Sequence, residues 1–236
     1  MIDIWNEPNL VGILRLIGDT ALSRLTESNI LLMGQNAVIE WIFESLARSG
    51  VGGLICCVST DRPASPSGLF TYNKDDVVSD IWLRRAHEIQ PKIRTEVIEW
   101  TLSTESNWAQ LSQRMNGTPS IAICVSDHEV ELLSFINWCR AHTCLALLVT
   151  GSTRHLDIDT LCRGGVSEWT HDPVLKKVKR QLNELYPNDP WVHNAVRAVY
   201  SASYPSIEPS TVDPVIRHGM IGLMAAAEVM ERIGQY

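Results

Sequence analysis

The sequence predicts an α/β fold: a Rossmann-like, doubly wound, mostly parallel sheet. Three observations carry that prediction. The stretch Asn29 to Val58 reads as an apolar run Ile30–Met33, a break at Gly34, apolar residues at helical spacing (Val38, Trp41, Ile42, Leu46, Ala47), then Gly50, Gly52 and Gly53, and a second apolar run Leu54–Val58. This is a strand–turn–helix–strand unit, the first half of a dinucleotide-type fold. Strand-like runs then keep alternating with helical patterns as far as Thr150, which favours parallel pairing. Finally, 236 residues of which 45% are hydrophobic supply enough core for one large α/β domain or two small ones. Read as a single domain, the chain divides into a helical arm (1–28), a Rossmann-like half (29–151) and a C-terminal half (152–236) that extends the sheet and ends in a helix.

The elements follow in order. Leu10, Ile13, Leu14, Ile17, Leu22 and Leu25 predict one or two amphipathic helices ahead of the first strand. After Val58, the run Ser59 to Gly68 is a loop by composition. Asp76 to Ile89 is a predicted helix with Val77, Ile81, Ala86 and Ile89 inward, stopped by Pro91. Ile93 to Trp100 alternates like a strand, Asn107 to Met115 is a short helix, and Ser120–Val125, Glu129–Ala141 and Cys144–Thr150 read as strand, helix and strand. Past Gly151 a strand is expected at Leu156–Leu161. Asp172-Pro173 then opens a basic amphipathic helix, Val174–Leu185, and Tyr186 to Pro190 is a loop. Ala195–Ser201 is β-rich, Ser203 to Pro214 is extended, and Val215–Ile233 is a final helix.

Composition excludes several function classes. The formal charge is −7 with no long run of either sign, which argues against a broad nucleic-acid footprint though not against a local patch. No run of about 18 apolar residues is present, so no membrane span is expected. MIDIWNEPNL has no basic segment leading into an apolar one and does not read as a secretory signal. The six cysteines, at 56, 57, 124, 139, 144 and 162, form no C-x-x-C pair, which argues against structural zinc. Cys56 and Cys57 are adjacent in a strand, point to opposite faces and are expected to be buried rather than bridged. The expected location is the cytoplasm, with reduced thiols.

Three stretches admit a functional and a plainer reading. In the turn Gly34 to Glu40, a nucleotide phosphate would sit on the helix N-terminus. The plainer reading is a helix capped by its own side chains, with Asn36 as N-cap and Glu40 facing the helix dipole. Asp127 fits either a metal ligand or, with Ser126, a helix cap. Lys176, Lys177, Lys179 and Arg180 fit either RNA phosphate or a solvated helix face. Of the tryptophans, Trp41, Trp82 and Trp138 stand at core-facing phases, while Trp5, Trp100, Trp169 and Trp191 are candidate surface anchors.

The chain resembles the ThiF/MoeB/HesA superfamily of ubiquitin-activating-enzyme-like adenylating proteins, and within it the tRNA threonylcarbamoyladenosine dehydratases. The residues that carry the resemblance are Leu14-Arg15-Leu16-Ile17-Gly18, Ala47-Arg48-Ser49-Gly50-Val51-Gly52, Glu88-Ile89-Gln90-Pro91, Trp138-Cys139-Arg140 with Leu148-Val149-Thr150-Gly151, Asp172-Pro173 with its basic helix, and Val199-Tyr200-Ser201. The likeness runs over about residues 9 to 233 and rests on the order and spacing of these motifs.

The resemblance also marks departures. The family's G-x-G-G-V-G turn falls on Gly34, Asn36, Ala37 and Ile39, where only Gly34 is glycine. Its ribose-binding Asp falls on Val58, its following Asp on Thr60 beside Asp61, its charge-stabilising Arg on Leu69, and its catalytic Lys on Val78. Its Mg-binding Asp falls on Asp127. The expectation is a degenerate adenylating fold, without ATP-dependent adenylation and without a cofactor, acting as a dimeric scaffold or as partner of an active relative. The alternative is a carboxylate-activating enzyme, dehydratase-like or peptide-tailoring, using ATP and Mg²⁺ at a rearranged site. That site would hold Gly34, Asn36, Asp61 and Asp127, with Asp127 on the metal and Lys74 or Arg62 moved toward the phosphates. Leu10–Leu25 and the methionine-bearing final helix offer the apolar surface expected at a dimer interface.

Overall fold

A computed structural model describes residues 10–34, 36–58, 68–71, 76–99, 105–115, 117–151, 160–202 and 214–235. Helices α1 (Val11–Ile17) and α2 (Asp19–Glu27) precede β1 (Asn29–Gly34), α3 (Ala37–Arg48) and β2 (Gly53–Val58). Then come α4 (Val78–Ile89), β3 (Arg94–Glu99), α5 (Glu105–Arg114), β4 (Ile121–Val125), α6 (Glu129–Ala141) and β5 (Leu145–Val149). The C-terminal part contributes β6 (Leu161–Gly165), a 3-10 turn at Val166–Glu168, α7 (Pro173–Leu185), α8 (Pro190–Ala195), β7 (Val196–Ser201) and α9 (Pro214–Gln235).

Seven strands form one sheet in the order β3-β2-β1-β4-β5-β7-β6, parallel except for β6, which runs antiparallel to β7. The predicted mostly parallel sheet with a C-terminal extension and a final helix is therefore the observed fold. The order reverses between β1 and β4, and in open α/β sheets ligands bind outside the carboxyl ends of the strands at such a point. Both faces are covered, as parallel sheets require. One face buries Leu22, Ile42, Phe43, Leu46, Trp82 and Val229 against the sheet; the other buries Phe135, Ile136, Trp169, Leu175 and Val178. Alternation along β2 sends Cys56 to the first core and Cys57 to the second, both as free buried thiols. Burial pushes both thiols up, away from thiolate chemistry.

The structure departs from the sequence reading at four places. Val77, predicted inward, stands at the N-cap of α4 and is 53% exposed, because the helix begins only at Val78. The strand expected at Leu156–Leu161 is Leu161–Gly165; residues 152–159 lie outside the described residues. The stretch read as a loop up to Pro190 opens into α8, which Pro190 starts and Asp189 caps by accepting from the Trp191 N–H at 2.9 Å. Trp169, a candidate surface anchor, is 1% exposed and donates its indole N–H to the Gly164 carbonyl at 3.2 Å. Trp5, Trp100 and most of Ser203 to Pro214 fall outside the described residues.

Candidate functional site

The candidate site is built from the carboxyl ends of β1, β2 and β4 and the turns that follow them. At the first turn the helix caps itself. Asn36 adopts extended backbone at the α3 N-cap and its Oδ1 accepts from the Val38 N–H at 3.0 Å. That satisfies one of the donors a helix N-terminus would otherwise present to a ligand. Gly34, the glycine shared with the family turn, serves packing: a Cβ there would lie 2.9 Å from the Val125 Cβ, where β1 meets β4. Ile39 is fully buried, and its Cδ1 would stand 3.6 Å from a Cβ added at Gly34. Ala37 is buried as well.

Glu40, on the first turn of α3, is 1% exposed. Its Oε2 accepts two backbone N–H groups from the segment after the first loop, Leu69 at 2.6 Å and Phe70 at 3.0 Å. A side chain on Gly68 would run into the same carboxylate. Phe70 then inserts among Phe43 and Trp82, edge to face, with ring centroids 5.6 and 5.0 Å away. The segment 68–70, which carries Leu69 at the family's arginine position, is thus fastened to α3 by a carboxylate and an aromatic plug. Val58 ends β2 buried, and Val78, at the family's lysine position, is half-buried at the start of α4.

At the end of β4, Asp127 Oδ1 accepts the Gly151 N–H at 2.6 Å and joins the β4 end to the β5 end. It does not cap α6; His128 holds the N-cap position. Ser126 accepts from the His128 N–H at 3.0 Å and donates to Glu131 at 2.6 Å. Beyond β5, Asp172 N-caps α7 through the Val174 and Leu175 N–H groups at 2.8 and 2.9 Å and accepts from the Thr150 hydroxyl at 3.0 Å.

Of the sequence-predicted site residues, Gly34, Asn36 and Asp127 stand at the strand ends around the switch point, each bonded or packed within the protein. Asp61, Arg62 and Lys74 lie outside the described residues. Among the described residues no group of three or more His, Cys, Asp and Glu side chains is arranged to hold a metal. Around the turn after β1, Glu40, Ala37 and Ile39 are buried, and one of the helix's N-terminal N–H groups, that of Val38, is taken by Asn36. Sequence reasoning placed Glu40 at the helix dipole but missed its long-range partners, since 29 residues separate it from Leu69. On the basic helix, Lys179 Nζ donates to the Ser167 carbonyl at 2.8 Å and Lys177 lies 3.9 Å from Glu129, while Lys176 and Arg180 are exposed.

No protein-family model matches the chain. It is 28% identical over 218 residues to the tRNA threonylcarbamoyladenosine dehydratase of Haemophilus influenzae, spanning 88% of this chain and 80% of that protein. To the Escherichia coli protein of the same description it is 22% identical over 187 residues, spanning 76% and 67%. Among solved structures, the E. coli dehydratase in complex with ATP superposes with a TM-score of 0.78 at 20% identity, over 98% of this chain and 95% of that one. E. coli MccB with ATP superposes at 0.59 and 13% identity, over 99% of this chain and 66% of that one. By sequence the chain is a homologue of the Haemophilus influenzae and E. coli tRNA threonylcarbamoyladenosine dehydratases, and its fold is that of the E. coli dehydratase.

Proposed function

We propose that the chain is a dehydratase-like member of its family that no longer adenylates, and that it serves as a dimeric scaffold or as partner subunit of an active relative. The observation that carries this reading is Glu40, a buried carboxylate on the first turn of α3 that binds the segment 68–70. Adenylation depends on positioning phosphates and neutralising their charge. A fixed negative charge beside the turn, with Ile39 and Ala37 filling it, works against both. The apolar surface of Leu16, Ile216 and Leu223, each more than half exposed, is the support for a dimer.

A second reading is favoured by the comparisons. Both curated relatives are tRNA threonylcarbamoyladenosine dehydratases, and the E. coli protein has been solved with AMP and with ATP. In that reading the chain activates a carboxylate with ATP, in RNA modification or peptide tailoring, Asp127 holds Mg²⁺, Asp61 contacts the nucleotide, and Lys176, Lys177, Lys179 and Arg180 face RNA. Calorimetry with ATP·Mg²⁺ and an ATP–pyrophosphate exchange assay separate the two. Silence in both is expected. Micromolar binding with exchange would replace the first reading by the second, and Asp127→Ala should then abolish the exchange. Both readings place the chain in the cytoplasm, away from membranes; among the described residues no helix is long and apolar enough to cross one.

A further inference from the structure

We propose that the successive backbone N–H groups of Leu69 and Phe70 form a compact-anion site that the chain fills with its own Glu40 carboxylate, an internal ligand in place of an external one. This deepens the non-adenylating reading of the same turn and rests on it. Two adjacent main-chain donors converging on one oxygen, at 2.6 and 3.0 Å, make the concavity that binds phosphate or carboxylate elsewhere in proteins. Glu40 is 1% exposed, so its carboxylate meets these donors away from bulk water. The segment approaches it as closely as glycine allows, since any Cβ on Gly68 meets the carboxylate. Phe70, wedged against Phe43 and Trp82, fixes the second donor in place.

The donors are thus organised by packing as well as by the charge they bind, so the site should survive removal of that charge. Glu40→Ala empties it and leaves room for a carboxylate or a phosphoryl oxygen. The ligand class is a compact oxyanion: acetate, inorganic phosphate or pyrophosphate.

The test uses the full chain in wild-type, Glu40→Ala and Glu40→Gln forms, with thermal unfolding in chloride, acetate, phosphate and pyrophosphate at matched ionic strength. Wild type should show no saturable response to any anion. Glu40→Ala should unfold roughly 5–10 °C lower in chloride, given two charge-assisted hydrogen bonds in a chain of this size, and recover much of that saturably with one or more of the oxyanions. Rescue by acetate alone assigns a carboxylate-sized site, and rescue by phosphate or pyrophosphate a phosphoryl site. If Glu40→Ala is recovered folded only in an oxyanion buffer, that is the same rescue. Glu40→Gln keeps the shape without the charge and should lose several degrees. A Glu40→Gln midpoint equal to wild type overturns the proposal, as does a folded Glu40→Ala indifferent to all three oxyanions, or a wild type that binds pyrophosphate as tightly as Glu40→Ala. Failure here leaves ATP binding by wild type untouched, and exchange activity in wild type would defeat the non-adenylating reading whatever the variants do.

Discussion

Individual charges in this protein are stabilised by neighbours that the sequence places far away. Glu228 on α9 is buried, receives Arg197 from β7 at 2.8 Å and Arg232 at 3.1 Å, and lies 3.4 Å from Arg163 of β6. Burial pushes its carboxyl up, but Arg232 and Arg197 outweigh that and hold it below the usual range. Glu44 behaves alike: burial raises it, and Arg85 and Arg48 together bring it lower. A carboxylate whose folded pKa lies below its unfolded value contributes stability above the unfolded value, about 4.3, and loses it as pH falls through the folded one. The midpoint of wild type should therefore drop below about pH 4.3, and Glu228→Gln should flatten that drop. At pH 7 the same variant should cost about 2–4 kcal/mol, because it leaves arginines facing an uncharged partner. Denaturant melts across pH check both statements. Asp127→Ala should cost about 1 kcal/mol by releasing the Gly151 N–H, measured the same way, under the non-adenylating reading.

At the scale of elements, α9 lies against α3 through glycines. A Cβ on Gly222 would stand 2.5 Å from the Trp41 Cβ and 3.2 Å from the Val38 carbonyl, so the helices cannot keep their distance if it is added. Gly219 sits one turn earlier, where a Cβ would meet the Trp41 ring at 3.5 Å, an ordinary contact. Gly222→Ala should destabilise by about 1–3 kcal/mol. Gly219→Ala should be neutral or stabilise by up to about 1 kcal/mol, the helix-propensity gain. A pair of chemical melts distinguishes them, and equal effects would show that the α3–α9 distance is not set at Gly222. On α7, Val174, Leu175, Val178 and Leu182 are buried and Lys176 and Arg180 face out. If that face meets RNA, the double change Lys176→Glu with Arg180→Glu should weaken tRNA retention in a filter assay by at least tenfold at low salt.

For the whole molecule, the expectation is a dimer. Leu16 at 82%, Ile216 at 55% and Leu223 at 54% exposure leave apolar surface on the arm and on the final helix, and obligate dimers commonly bury more than about 2,000 Å². Light scattering at micromolar concentration should return twice the chain mass of 26.4 kDa. A clean single-chain mass would leave only the heteromeric role. An aspartate at Leu223 should shift a dimer toward monomer without lowering the melting midpoint of the monomer, since that residue lies outside the core.

The sequence by itself determined the sheet's alternation and nearly every parallel element. Each such element carries its own periodicity and local punctuation: Gly34 and Gly50 around α3, and Asp172-Pro173 before α7. The same Asp-Pro signal at Asp189-Pro190 announced α8 and was legible, though read as a loop. The family likeness was legible too, because it lies in motif order. Hidden were the antiparallel strand Leu161–Gly165, whose five residues include two glycines and an arginine, and the burial of Trp169, which depends on a carbonyl supplied by that strand. Hidden above all was the partner of Glu40. A carboxylate on a helix's first turn satisfies a local rule by itself; only the folded chain brings Leu69 and Phe70, 29 and 30 residues away, onto its oxygen. Local periodicity is written in neighbouring residues, whereas the satisfaction of a buried charge is decided by which distant backbone the sheet and its aromatic contacts deliver to it.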